Sequence, residues 1–206
     1  MLSKRLATIA SLVTTKSIID VGCDHGYLDI YLTKLGIKCL ATDISLNSLN
    51  KARDNFKLEN LNIDTMVTDG LSNINIKDTD TIVISGMGTD TIIKILNKDL
   101  KNDLIISSNN HLEKLRRFVI SKGYYIEKEV FVLENNKPYV IIKFKFGKKE
   151  YSKYEYILGT IENDATYFNY LLKKYQTILS KIPDKYSSKK AYYNDLIEYI
   201  KSKNVT

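Results

Sequence analysis

A chain of 206 residues, 44% hydrophobic and 27% charged, has the length of one domain plus an appendage and a globular composition, which excludes a disordered or fibrous protein. Its two cysteines, Cys23 and Cys39, have neither CxxC spacing nor nearby histidines, so they read as small buried thiols and no disulfide or metal site is expected. The net charge of +7 fits a polyanionic partner such as nucleic acid, and it equally fits a compositional bias toward Lys, Asn, Ile and Tyr.

The first predicted element is an amphipathic helix. Leu2, Leu6, Ile9, Ala10 and Val13 recur at helical spacing, with Lys4 and Arg5 on the other side, unlike the continuous apolar core of a signal peptide. No apolar run approaches the roughly 20 residues that span a bilayer, and the reading is cytoplasmic, with no membrane partner. Residues 17–22, SIIDVG, form a β-branched run that reads as a buried strand. Leu28, Tyr31, Leu32 and Leu35 then mark a helix closed by Gly36.

The pattern repeats. Strands are expected at 37–42, 63–68, 80–85 and 103–108. A helix over 45–60 has Leu46, Leu49, Ala52 and Phe56 on one face and Ser45 as its N-cap. Another follows the fourth strand, and a third over 111–123 has Leu112, Leu115, Phe118 and Val119 inward and Gly123 as its cap. Residues 124–134 and 137–146 are two β-rich runs with a short NNKP interval, hence an antiparallel hairpin. The order predicts an α/β fold over 1–147: a mostly parallel, seven-stranded Rossmann-like sheet with helices on both faces and an antiparallel C-terminal hairpin.

Beyond Gly147, Leu158, Ile161, Ala165, Phe168, Leu172, Tyr175 and Leu179 alternate spacings of three and four, a heptad seam. Pro183 breaks it, and Tyr193, Leu196 and Ile200 mark a second helix. An antiparallel helical, coiled-coil hairpin over 148–206 follows; because the second helix supplies the matching face, the seam pairs within the chain and a monomer is expected.

Ligands of an open parallel sheet bind outside the carboxyl ends of its strands. Four motifs fall there: DVGCDHG after the first strand, DIS after the second, DG after the third and SGMG after the fourth. A pyrophosphate-binding loop needs G-x-G-x-x-G, but here the glycines are Gly22 and Gly26, and Asp24 occupies the middle position, where its carboxylate repels an anion. Asp20 and Asp24 suit instead a ligand with a cationic or zwitterionic end. Asp43 is placed to accept hydrogen bonds from ribose hydroxyls, and Asp69 with Gly70 to meet an exocyclic amine and a flat base. S-adenosylmethionine has all these features.

The segments LSKRLATIASLV, DVGCDHGYL, SGMG and LRRFVISKGYYIEKEVFVLENNKPYVII, with the helical tail, resemble the bacterial tRNA (adenine-22-N1)-methyltransferase family over essentially the whole chain. The resemblance implies a class I methyltransferase domain, a coiled-coil hairpin, S-adenosylmethionine as methyl donor and tRNA as partner, with no metal. It implies Asp20, Gly22, Asp24, His25 and Gly26 at the methionine end, Asp43 at the ribose, Asp69 and Gly70 at the adenine, and Gly86, Met87 and Gly88 between cofactor and target base. The chain departs from the family's usual pattern at Gly26 (commonly Ala), Thr89 (Gly) and Ser107-Ser108 (QP).

Methylation of adenine N1 needs no strong base and makes a cationic product, so a carboxylate facing the base stabilises the transition state, and Asp24 is the candidate. Tyr27 is a candidate to stack the extruded base, and Asn109 to bond a base edge or cap the following helix. Lys4, Arg5, Arg116, Arg117, Lys173, Lys174, Lys189 and Lys190 are candidate phosphate contacts.

Overall fold

In a computed structural model describing residues 2–203, the chain divides into two compact units, one up to Lys149 and one from Glu150. The strands of the first are β1 (Ser17–Val21), β2 (Lys38–Asp43), β3 (Asp64–Val67), β4 (Thr81–Met87), β5 (Asp103–Ser108), β6 (Tyr124–Glu134) and β7 (Lys137–Phe146). Its helices are α1 (Lys4–Leu12), α2 (Tyr27–Lys34), α3 (Leu46–Leu58), α4 (Thr89–Ile95) and α5 (Leu112–Ser121). The strands form one sheet in the order β3-β2-β1-β4-β5-β7-β6. Those from β1 to β5 are parallel, and β7 enters between β5 and β6, antiparallel to both.

Position in the sheet explains each strand's composition. Central β1 is buried from Ile18 to Val21, so its sequence shows no alternation, whereas β3 at the edge is short and mostly exposed. Asn135 and Asn136 turn the hairpin with φ of 49° and 60°, the left-handed pair that a two-residue connection requires. On one face Ile18, Val83, Ile105 and Ile141 pack with Ile9, Leu28, Leu32, Leu49 and Phe56 from α1, α2 and α3. Neighbouring residues Ile19, Ile82, Leu104 and Ile106 point to the other face and are also buried, as are Ile92 of α4 and Val119 of α5. Each such side chain removed from water contributes about 1.5–3 kcal/mol before entropy is counted.

Three helices bury a different stripe from the expected one. In α2, Leu28 and Leu32 are buried, but Tyr31 and Leu35 are exposed and Asp29 is fully buried, so the inward stripe is rotated toward Asp29. In α3, Leu46 is exposed while Leu49, Ala52 and Phe56 are buried, and Ser45 caps the helix by accepting from the Ser48 N–H. In α5, Leu115 and Val119 are inward together with Arg116, while Leu112 and Phe118 are only partly buried.

The second unit has helices α6 (Lys153–Leu158), α7 (Ala165–Ser180) and α8 (Ser187–Lys203). The seam expected to run unbroken from Leu158 is divided. Gly159, at φ 90° and ψ −178°, stops α6 in a conformation essentially reserved for glycine, and Asp164 caps a new helix by accepting from the Tyr167 N–H. Ile161 therefore lies in a connection and Ala165 is exposed. The buried stripe of α7 is Tyr167, Phe168, Leu171 and Tyr175, and that of α8, its packing partner, is Leu196, Ile197 and Ile200. The short α6 also joins this unit: the Tyr154 ring stacks on Tyr199 at 3.9 Å, and Tyr154 Oη and Lys153 Nζ donate to Asp195 at 2.7 and 2.9 Å.

Candidate cofactor and RNA site

The strand order reverses around β1, with β2 on one side and β4 on the other, so the loops leaving these strands diverge and open a crevice. Gly22 turns the chain out of β1 at φ 81°, and a Cβ there would overlap Met87 Cε. The Gly22 and Cys23 N–H groups both donate to the Thr42 carbonyl, at 2.8 and 2.9 Å. The turn closes through the Gly26 N–H to the Cys23 carbonyl at 2.8 Å, and Asn55 Nδ2 of α3 donates to the His25 carbonyl at 2.9 Å. Gly26, at φ 70°, begins α2; a Cβ there would overlap the Phe56 ring.

Asp43 ties the first two strand ends together. Its Oδ1 accepts from the Ser45 N–H at 2.8 Å and its Oδ2 from the Asp24 N–H at 3.3 Å, holding Asp24 at φ 52°. Each carboxylate oxygen keeps a second lone pair for a ligand hydroxyl. The Asp24 side chain is largely exposed, with His25 Nε2 3.8 Å away. Tyr27 is also exposed and tilted against His25, so it is not a core residue.

Beyond its expected end, β4 continues through Gly86 and Met87, with a register shift against β5 between Ser85 and Met87. Two neighbours hold this bulge. Asn109 Nδ2 donates to the Gly86 carbonyl at 2.8 Å, and Arg5 Nη1 donates to Ser85 Oγ at 3.0 Å. The Arg5 N–H meets Glu134 Oε1 at 3.1 Å and its guanidinium lies over Tyr139, so the α1 helix is fastened to the hairpin beside the cleft. Thr89 Oγ1 and Ser108 Oγ hydrogen-bond at 2.8 Å, which links the start of α4 to the end of β5.

The resulting cleft of about 410 Å³ is lined by Arg5, Asp20, Gly22, Cys23, Asp24, His25, Tyr27, Asp43, Gly86 and Met87, among others. Such a volume falls in the usual range for small-molecule sites. Residues from three separated strand ends and from α1 thus meet, with three carboxyl groups around one guanidinium. Asp20 is buried, and burial pushes its carboxyl up to about 7; the Asp43 charge adds to this, while a hydrogen bond with Asp29 and the nearby Arg5 oppose it. Burial likewise pushes the Cys23 thiol up and holds it neutral. The larger hollow of the unit, about 960 Å³, lies at the opposite edge, lined by Asp80 and Asp103 at the strand starts with Lys101, Tyr124 and Phe146. None of the strand-end motifs reaches it.

Several expected residues stand elsewhere. Asp69 is exposed in the loop after β3 and does not line the cleft; Gly70, at φ 59°, leaves room for the Ile95 side chain rather than facing the cavity. Asn109 does not cap α5: the N-cap of α5 is His111, at φ 45°, and the Asn109 Nδ2 donates to the Gly86 carbonyl. Arg116 is the clearest correction. It is fully buried and its Nε donates to Glu129 Oε1 at 2.7 Å, so it is not a surface phosphate contact; the apolar spacing that buries Leu115 and Val119 carries it inward. Arg117 pairs with Glu113 on the surface, Lys190 pairs with Asp184, and Lys4, Lys173, Lys174 and Lys189 are exposed. Sequence reasoning gave no role to Ser85, although it opens the SGMG motif, nor to Asn55 and Asp29, which belong to no motif. Asn55 is hidden by its distance from the loop along the chain, and Asp29 by its place among the apolar positions of α2.

The cleft fits S-adenosylmethionine: a buried carboxyl at its floor, an acid at the end of the second strand, and a glycine whose absent Cβ brings the backbone against Met87. Among the described residues no cluster could hold a metal ion and no helix is long and apolar enough to cross a membrane. The methyltransferase-domain family matches residues 2–142. The tRNA (adenine(22)-N(1))-methyltransferase of Bacillus subtilis is 31% identical over 159 residues, 72% of this chain and 67% of its own length. The structure of M. capricolum TrmK with S-adenosyl-homocysteine superposes with a TM-score of 0.87 at 29% identity, covering 98% of this chain and 99% of that one. A Streptococcus pneumoniae protein solved with S-adenosyl-L-methionine has a TM-score of 0.87 at 26% identity, covering 99% of this chain and all of its own. With the acid-bearing loops in one crevice and these matches along nearly the whole chain, the protein belongs to the tRNA (adenine-22-N1)-methyltransferase family.

Proposed function

We propose that this protein methylates N1 of adenine 22 in tRNA with S-adenosylmethionine as methyl donor. The observation that carries the reading is the convergence of Asp20, Asp43, Gly22 and the Gly86-Met87 bulge on one cleft, in a chain of this family. When bound, S-adenosylmethionine supplies a methyl group on a sulfonium centre, which a neutral ring nitrogen can take by in-line displacement.

The chain's own residues then have separable tasks. Asp20 at the cleft floor receives the α-ammonium group and Asp43 the ribose hydroxyls. Asp24 at the exposed rim faces the target base; its carboxylate stabilises the positive charge that grows on the purine, more in the transition state than before it. Tyr27 offers a ring for stacking, since N1 lies on the pairing edge and the adenine must be extruded. Lys4, Arg5 and Arg117 in the first unit, and Lys173, Lys174 and Lys189 in the second, supply the phosphate contacts that tRNA requires. The setting is the cytoplasm, where tRNA is modified, and the helical hairpin serves as an RNA-binding appendage of a monomer.

Incubation with labelled S-adenosylmethionine and unmodified total tRNA, followed by mass spectrometric location of the label, tests this. A methyl group on N1 of adenine 22 is expected. Label at another base, or on protein alone, overturns it.

A further inference from the structure

We propose that Asp29 is a positioning residue for cofactor capture: a neutral carboxylic acid behind the cleft whose O–H holds the Asp20 carboxylate ready for the cofactor's α-ammonium group. The proposal rests on the S-adenosylmethionine reading above. Asp29 lies in the first turn of α2, fully buried, on a helix face otherwise made of Leu28 and Leu32. Neither carboxyl oxygen makes a well-formed hydrogen bond to an N–H or hydroxyl of the described residues, its own N–H being a weak neighbour, and the side chain it pairs with is Asp20. A hydrogen bond between two carboxyl groups requires a proton on one of them. Burial, and then the charge of Asp20, hold Asp29 well above the carboxylate range, so the proton stays on Asp29.

Asp20 is the member of the pair that lines the cleft. Its backbone carbonyl accepts from Thr42 Oγ1 at 3.0 Å, a bond that does not reach the carboxyl. Asp29 orients it. The other groups facing Asp20 are Asp43 from β2, which disfavours its anion, Arg5 from α1, which favours it, and two thiols held neutral by burial, Cys23 from the loop and Cys39 from β2. If packing were the only demand on α2 here, an apolar residue would meet it without the cost of burying a carboxyl. The carboxylic acid supplies what an apolar residue lacks, a proton donor aimed at the residue that meets the ligand.

The test uses isothermal titration of the full chain with S-adenosylhomocysteine, which carries the ammonium group, and with 5′-methylthioadenosine, which lacks it, between pH 6 and 9. Wild-type affinity for S-adenosylhomocysteine should fall about tenfold per pH unit below the midpoint near 7, while methylthioadenosine binding stays flat. Asp29→Ala should move the midpoint up by about one pH unit, because the anion of Asp20 then lacks a charge-assisted hydrogen bond. Asp29→Asn, whose amide N–H donates but does not ionise, should restore it. An Asp29→Ala profile identical to wild type overturns the proposal alone, and so does an Asp29→Asn profile as shifted as that of the alanine variant. If Asp29→Ala does not fold, Asp29→Asn decides by the same comparison with wild type. Failure of the wild type to bind S-adenosylhomocysteine at any pH overturns both the cofactor reading and this role for Asp29.

Discussion

Gly26 and Gly22 share a loop and a positive φ, yet their surroundings set different costs for a side chain. At Gly22 a methyl group meets the mobile end of Met87, whereas at Gly26 it meets the Phe56 ring and lies close to Ala52. Gly26→Ala is therefore expected to destabilise the protein by about 1–3 kcal/mol and to cost more than Gly22→Ala, as thermal unfolding of the two variants will measure. The raised Asp20 carboxyl gives a second prediction. Its folded value near 7 lies above the ordinary value for an aspartate in an unfolded chain, so the folded chain binds a proton that the unfolded chain has released. This contribution to stability is present at low pH and is lost as pH rises from about 4 to about 7. A bound cation beside Asp20 offsets the loss, so the rise in melting temperature given by S-adenosylmethionine should be larger at pH 8 than at pH 6; equal rises would count against Asp20 as the ammonium partner.

At the scale of elements, α5 illustrates how a basic residue can be structural. Arg116 and Glu129 join the helix to β6 with both side chains buried. Removing one charge leaves the other uncompensated, and Arg116→Leu should cost about 3–5 kcal/mol in denaturant unfolding. The double change Arg116→Leu with Glu129→Leu should recover most of that stability, and failure to do so would mean that packing rather than charge sets the cost. The bulge in β4 is the element nearest to the chemistry. Asn109 holds its Gly86 carbonyl from the end of β5, so Asn109→Ala should lower kcat for tRNA methylation more than it lowers the melting temperature. The heptad pattern of the tail fails as an element predictor because spacing does not register a break. One glycine after α6 and one N-cap aspartate before α7 cut the seam without disturbing its apolar positions.

For the whole molecule, the division of labour between the two units is the testable matter. Lys173, Lys174 and Lys189 are exposed, and their joint replacement by alanine should weaken tRNA binding and reduce the slope of log K against log salt by about one for each phosphate that is no longer neutralised. S-adenosylhomocysteine affinity should not change, since these residues lie outside the cleft. An unchanged salt slope would remove the helical unit from the RNA footprint. The net charge of +7 becomes informative only after the buried and paired cations are set aside, because Arg116 and Lys143 are enclosed by the fold and Lys190 is paired with Asp184.

The chain by itself determined the alternation of strands and helices, the hairpin at Asn135 and Asn136, the cap at Ser45 and the placing of acidic motifs at strand ends. These depend on residues close together along the chain, where local conformational preference and apolar spacing act directly. Tertiary structure alone decided which strand ends share the cleft, that Asn109 serves the Gly86 backbone, that Arg116 turns inward to Glu129, and that Asp29 stands behind Asp20. Each is a meeting of separate elements, and its sign depends on burial: the same guanidinium or carboxyl that water would leave solvated must, once enclosed, find a partner or a proton.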